Sequence, residues 1–307
     1  MKILIAYDGS RCAEAAIDDL ARAGLPESGE ALIASVAEIW LPPEGDSDND
    51  PALEKLVAHH REKGRRALAE VQTFVAHAES RARSILPGWT IETRATYGSP
   101  SWELLSIADE INPDLIIVGS QGQTALGRLL LGSISQKVVT EAKCSVRVAR
   151  GRINVDESPI RIAIGFDSSK GAQAAVGAVA QRNWPAGTEV QLVAVADGVH
   201  PTAIGRFVPP ISRAIDEVNN AERSWLEELA SDSLEKLRAI GCAAELKVVD
   251  GNPKKKIIEE AEAWNADAIF LGANAFGSRL ERFLIGSTSS AVAARAQCSV
   301  EVVRRPA

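Results

Sequence analysis

The chain repeats itself once. Cys144-Ser145-Val146 returns as Cys298-Ser299-Val300, 154 positions later, and Leu131-Gly132-Ser133 returns as Ile285-Gly286-Ser287 at the same spacing. Asn112-Pro113-Asp114-Leu115-Ile116-Ile117-Val118-Gly119 is answered by Asn265-Ala266-Asp267-Ala268-Ile269-Phe270-Leu271-Gly272, now 153 positions on, and Gly98-Ser99-Pro100 by Gly251-Asn252-Pro253. Near the start, Ile3-Leu4-Ile5-Ala6-Tyr7-Asp8-Gly9-Ser10 is matched by Ile162-Ala163-Ile164-Gly165-Phe166-Asp167-Ser168-Ser169 at an offset of 159. Five matches in one order imply a duplicated domain, and the changing offset makes the second copy shorter between its first and third strands. Stacked short repeats are excluded, because their period is about 20–50 residues. Two domains are expected, 1–150 and 159–307, joined by a polar linker at about 150–159 that carries Gly151 and Pro159.

Each half reads as alternating strand and helix. In the first, an apolar run at 2–7 ends in Asp-Gly-Ser, a turn and helix-start signal. A helix at about 10–23, a strand at 30–37 and a polar loop from Pro42 to Pro51 follow, then a long helix at about 52–84 and a strand at 89–96. Pro100 suits the first turn of a helix that ends before Pro113. Residues 114–118 are continuously apolar, as in a strand buried on both faces. A glycine-punctuated loop, a helix at 133–142 and a strand at 145–149 complete the unit. Strands near 160–166, 188–196, 244–249, 267–271 and 299–303 repeat the pattern. Alternating βα units predict an α/β fold: two tandem open parallel five-stranded sheets flanked by helices, Rossmann-like in outline.

Composition narrows the function classes. Lys and Arg number 34 against 41 Asp and Glu, a net charge of −7. That balance argues against nucleic-acid partners and anionic membrane surfaces. No apolar run approaches the roughly 18 residues a bilayer span needs. The opening run Met1 to Asp8 is too short for a signal peptide, so a cytoplasmic location is expected. The four cysteines form no CxxC pair and read as reduced thiols. The four histidines show no HxxxH or HExxH spacing, and no metal site is expected. Arg61 to Arg66 on the long helix reads as a solvated face, and packing is the default role for the six tryptophans.

Open parallel sheets bind ligands beyond the carboxyl ends of their strands. There the first half carries Gly119-Ser120-Gln121-Gly122, then Gly132-Ser133-Ile134-Ser135 opening a helix. Ser133 reads as an N-cap with Gln136 as its capping-box partner. Free N–H groups and the helix dipole favour a phosphate there, with Ser133 and Ser135 adding hydroxyls. On residue chemistry alone these glycines could equally make turns only, Ser133 could only cap, Asp8 could be a helix cap, and Arg128 an exposed loop arginine.

The spacing Gly-x2-Gly-x9-Gly-Ser, followed by GSISQKVV, resembles the nucleotide loop of the universal stress protein family. Asp8-Gly9-Ser10 and Cys144-Ser145-Val146 fit the same family, and the resemblance spans essentially the whole chain as two consecutive domains. It implies an adenine-nucleotide-hydrolase-like fold with a pocket between the first and fourth strands. Asp8 and Val36 would then contact the base, while Gly119, Gln121, Gly122, Gly132, Ser133 and Ser135 line the ribose and phosphates of ATP or ADP. Mg²⁺ would reach the site only through phosphate or water. Asp167, Gly272, Gly286, Ser287 and Ser289 are the second-half counterparts. There Ala275 replaces the second glycine and the interval to Gly286 is one residue longer, with Gly277 nearby, so the first site is expected to be the better formed. The resemblance further implies that strands 145–149 and 299–303 pair, packing the halves as a pseudo-dimer; a homodimer of whole chains is left open. A stress-response signalling role is expected. An interaction scaffold without nucleotide and a slow ATPase are the alternatives, for GxxxxGK[ST], GxSxG and any nameable catalytic base are absent.

Overall fold

The computed structural model describes residues 1–39, 51–122, 131–150, 159–196, 209–273 and 285–304. Trp40, Arg128, Ala275, Gly277, the predicted loop up to Asp50 and linker residues 151–158 lie outside them. The chain divides into two compact units, Met1–Gly151 and Arg152–Ala307.

The first unit runs β1 (Lys2–Ala6), α1 (Arg11–Asp19), β2 (Gly29–Ala37), α2 (Pro51–Ile85), β3 (Trp89–Tyr97), α3 (Pro100–Ile111), β4 (Leu115–Gly119), α4 (Ser133–Glu141) and β5 (Ser145–Ala149). Its strands are parallel, in the order β3-β2-β1-β4-β5, with β1 between β2 and β4. Ile3, Ile5, Ile33, Leu115 and Ile117 turn to one face, where α1 and α2 cover them with Ala16, Ile17, Val75, Ala78 and Ala82. The alternate residues Leu4, Ile116 and Val118 are buried on the other face, the side of α3 and α4. The first helix is shorter than expected. It tightens into a 3-10 turn at Leu20–Arg22, and Gly24 then takes a positive φ.

The second unit repeats the plan with β6 (Arg161–Phe166), α5 (Lys170–Ala180), β7 (Glu189–Ala196), α6 (Pro209–Ala239), β8 (Ala243–Asp250), α7 (Pro253–Ala263), β9 (Ala268–Gly272), α8 (Ser287–Arg295) and β10 (Ser299–Val303). Its parallel order is β8-β7-β6-β9-β10. Ile162, Ile164, Val190, Leu192 and Phe270 form the centre of a core closed by α5 and α6.

Several of the repeated residues have identifiable structural work. Asn112 and Asn265, just past α3 and α7, hold left-handed backbone with φ of 47° and 55°, a conformation Asn tolerates. Two residues on, the Asp114 carboxylate accepts from the Lys2 N–H at 2.7 Å, and Asp267 accepts from that of Arg161 at 2.9 Å. Gly98 and Gly251 take φ of 136° and 132°, and the proline two positions after each opens α3 or α7.

Among the described residues, each unit also contains a buried ion pair that involves its last strand. Arg147 on β5 grips Asp19 of α1 with Nε and Nη2 at 2.5 and 3.1 Å. Glu301, its counterpart on β10, pairs with Arg182 at 2.5 Å. The sign of the strand charge is reversed between the two. Trp89 and Trp184 pack as expected, donating Nε1–H to the Pro26 and Val179 carbonyls at 2.8 Å. Trp102 and Trp225 instead stand exposed, and Lys137 lies 3.6 Å from the Trp102 ring centroid.

Candidate functional site

Two loops meet at the carboxyl ends of β1 and β4. The first begins at Tyr7, whose N–H donates to the Ala34 carbonyl at 2.9 Å and fastens the end of β1 to β2. Asp8 follows, half-buried, and its Oδ1 accepts from the Ser10 N–H at 3.0 Å. The cap of α1 is therefore Ser10 rather than Asp8: the Ser10 hydroxyl accepts from the Ala13 N–H at 3.1 Å. The same hydroxyl donates to the Gln121 carbonyl at 3.4 Å, tying this loop to the next. Ser10 was not among the expected site residues. The helix-start signal Asp-Gly-Ser and its recurrence as Asp167-Ser168-Ser169 pointed to Ser10 as a cap.

The second loop leaves β4 at Gly119. A Cβ there would lie 2.8 Å from the backbone carbon and oxygen of Cys12, so the strand end rests directly on the first turn of α1. Gly122 comes up against the other oxygen of Asp8: a Cβ at 122 would sit 3.0 Å from Oδ2. The loop returns when the Gly132 N–H donates to the Ser120 carbonyl at 2.8 Å. A Cβ on Gly132 would enter the space beside Gln121 Cα and Gly122 N, at 3.4 and 3.7 Å.

Helix α4 begins at Ser133, as expected, but Ser133 is not its cap. Its N-cap is Gly132, which has no side chain to bond the first-turn N–H groups, and Ser133 is the first helical residue. The reason is local: Gly132 is extended, φ −62° and ψ 151°, while its carbonyl already accepts from the Gln136 N–H at 2.8 Å. No acidic residue stands in that first turn. Ser133 is exposed, whereas Ser135 is buried and donates its hydroxyl hydrogen to the Gly119 carbonyl at 2.6 Å. Ser135 thus clamps α4 to the end of β4, and its hydrogen is already committed. Val36, half-buried near the end of β2, lies two residues past Ala34, the register partner of Ala6.

The second unit builds the same frame. Asp167 Oδ1 accepts from the Ser169 N–H at 3.1 Å, and Ser169 caps α5. Ser168, at φ 56°, stands where Gly9 stands in the first unit. A Cβ on Gly272 would lie 2.3 Å from the Gly171 backbone. Ser289 donates to the Gly272 carbonyl at 2.6 Å, and Gly286, the bare N-cap of α8, donates to Ala273 at 2.5 Å. Ser287 is exposed on the first turn of α8. Asp167 is exposed where Asp8 is half-buried.

In chemical terms, the first unit presents a carboxylate and an uncapped helix N-terminus on two loops held against each other. The helix end suits an anion and the carboxylate suits a hydrogen-bond donor. Among the described residues no three His, Cys, Asp or Glu side chains gather to hold a metal, and no helix is long and apolar enough to cross a membrane.

The family model described as "Universal stress protein family" matches residues 1–150 and again 160–304. A universal stress protein of Mycolicibacterium smegmatis is 27% identical over 307 residues, covering 98% of this chain and 96% of its own. A putative universal stress protein of Staphylococcus aureus is 32% identical over 149 residues, 48% of this chain and 82% of its own. Among solved structures, a universal stress protein from Archaeoglobus fulgidus superimposes with a TM-score of 0.59 at 23% identity, covering 99% of this chain and 96% of its own. A functionally unknown protein from Pseudomonas aeruginosa does so with a TM-score of 0.56 at 16% identity, over 98% and 92%. At those identities the structural likeness speaks for the fold alone.

Proposed function

This chain belongs to the universal stress protein family, and from that premise we propose that its first unit binds an adenine nucleotide, ATP or ADP, in a stress-response role. The observation that carries the reading is the bare start of α4 at Gly132, set beside the Asp8–Gly122 juxtaposition. In this reading the phosphates accept from the first-turn N–H groups of α4 and from the exposed Ser133 hydroxyl. The base donates its amino group to Asp8 Oδ2 and packs on Val36. Gly132 has no Cβ, so a phosphate can approach the backbone closely. Gly119, Ser135 and the Ser10 hydroxyl keep the two loops in place and touch the ligand little or not at all. The protein is read as a nucleotide-dependent signalling component of the cytoplasm rather than a catalyst.

Gly132→Asp separates this reading from a purely architectural one. Aspartate is a good N-cap, so helix α4 keeps or slightly gains stability, a few tenths of a kcal/mol. Its side chain nevertheless fills the cradle and places negative charge where the phosphates would sit. The expected result is adenine nucleotide in the supernatant of heat-denatured wild-type protein, Mg-ATP binding by calorimetry, and at least 100-fold weaker binding in Gly132→Asp, with the nucleotide-free melting temperature no lower than that of wild type. Wild-type protein that releases no nucleotide and gives no heat with Mg-ATP overturns the proposal in favour of a nucleotide-free scaffold.

A further inference from the structure

The Asp8 loop is held at both ends and backed in the middle. Tyr7 is fastened to β2 through the Ala34 carbonyl, and Ser10 caps α1. Between them Gly9 takes a left-handed φ of 73°. A Cβ on Gly9 would lie 3.0 Å from two carbons of the Phe74 ring and 3.1 Å from a third. Phe74, on α2, is half-buried and packs against the core of the first unit. The neighbours of Gly9 in sequence meet the second loop instead, Asp8 at Gly122 and Ser10 at the Gln121 carbonyl. The loop that carries Asp8 is thus seated on an aromatic ring from the long helix.

The second unit fills the same place with a different pair. Ser168, at φ 56°, takes the position of Gly9. The counterpart of Phe74 follows from the long helices themselves. The buried stripe Val71, Val75, Ala78 and Ala82 of α2 is answered in α6 by Leu226, Ala230, Ser233 and Leu237, each 155 positions on. Arg83 and Arg238 share that offset and a common task. Arg83 donates to the Ile91 carbonyl of β3 at 3.2 Å, and Arg238 to the Ala244 carbonyl of β8 at 3.1 and 2.8 Å. Ile91 lies level with Ile3 across its sheet, and Ala244 level with Ile162. The same offset puts Leu229 in the place of Phe74, and Leu229 is likewise half-buried against its core. Glycine in the loop goes with phenylalanine on the helix, and serine with the smaller leucine. A Cβ gained on one side is matched by a ring lost on the other.

We propose that Phe74 is a positioning residue of the first site: its ring seats the Asp8 loop and so aims the Asp8 carboxylate at the base, without touching the ligand. This role rests on the nucleotide reading of the first unit. An acceptor that recognises one group on a ligand has to be held to about 0.5 Å by the packing around it. Gly9 brings no side chain to that packing, and the Phe74 ring supplies it.

Three variants of the full chain test it: Phe74→Leu, Gly9→Ser, and the two combined, which gives the first unit the pair found in the second. Each is assayed by calorimetry well below its nucleotide-free melting temperature. The ligands are Mg-ATP and Mg-inosine triphosphate, in which a carbonyl replaces the amino group of the base. Wild type should prefer ATP, because Asp8 accepts from that amino group. Each single variant should lose about tenfold in ATP affinity, at the low end of the worth of a hydrogen bond to a charged group. Its affinity for inosine triphosphate should stay within about twofold of wild type, the scatter of independent sites. The combined variant should regain the ATP preference, because a Cβ at position 9 then faces a shorter side chain at 74. Wild type that binds no Mg-ATP overturns the nucleotide reading and this role with it. Wild type that binds both nucleotides equally removes Asp8 from base recognition, and again the role falls. Wild type that prefers ATP, beside a Phe74→Leu variant with the same preference, overturns the positioning role alone. So does a Phe74→Leu variant that loses both nucleotides equally, or a combined variant no better than either single one.

Discussion

At the scale of single residues, several glycines and serines of the predicted nucleotide loop do architectural work. Gly119 lets β4 rest on the Cys12 backbone, and Gly272 lets β9 rest on Gly171, a glycine facing a glycine. Overpacking of this kind costs about 1–3 kcal/mol when neighbours can yield, and here the neighbours are backbone. Gly119→Ala should therefore lower stability to urea by at least that amount. Gly272→Ala should cost more, because its Cβ would lie 2.3 Å from backbone rather than 2.8 Å. Equal melts for both variants and wild type would mean that the strand ends do not sit this close. Sequence patterns could not separate these roles, since a glycine needed for close packing and one needed for ligand approach look alike. Ser135 shows the same ambiguity: spaced as a phosphate donor, it gives its hydrogen to Gly119. Asp8, Val36, Gly122, Gly132 and Ser133 are residues for which the structure leaves a ligand role open.

At the scale of elements, the order and approximate bounds of the strands were legible because buried strands are continuous apolar runs and the helices are amphipathic. What joins the elements was not, because the partners are far apart in sequence. The buried pairs Arg147–Asp19 and Arg182–Glu301 are separated by 128 and 119 residues. The junction of β1, α1 and α2 is another case. The Tyr7 hydroxyl donates to Glu14, which is paired with His77 and Arg81 at 3.2 Å, and Arg81 also grips Asp18 through Nε and Nη2 at 2.7 and 2.6 Å. Burial, then the hydrogen bond and charge of Glu14, push the Tyr7 phenol above its ordinary range. The folded protein therefore holds that proton more tightly than the unfolded chain. Its contribution is complete below the ordinary phenol value of about 10 and is lost as pH rises past it. Tyr7→Phe should cost about 1.5–3 kcal/mol near neutrality, the worth of a hydrogen bond to a charged group. It should also flatten the decline of stability above pH of about 10. Urea melts across that range measure both, and a variant whose alkaline decline matches wild type would assign that decline to other groups.

At the scale of the whole molecule, duplication has kept the frame in both units while its contents have diverged. Each unit retains the serine clamp, the bare glycine cap and the carboxylate at the end of its first strand. The differences lie where a ligand would be held. Asp8 is half-buried beside Gly122, and a carboxylate partly withdrawn from water gives a stronger hydrogen bond to a base than an exposed one. Asp167 is exposed, and in the sequence alanine replaces the counterpart of Gly122 at position 275. One nucleotide per chain is therefore the expected stoichiometry. Calorimetry with Mg-ATP should saturate at a single site, which Gly132→Asp removes and Gly286→Asp leaves intact. Saturation at two sites of similar affinity would show that the exposed carboxylate and the alanine are tolerated. Loss of binding in Gly286→Asp alone would assign the working site to the second unit, and the burial of Asp8 would then have to be read as packing rather than recognition.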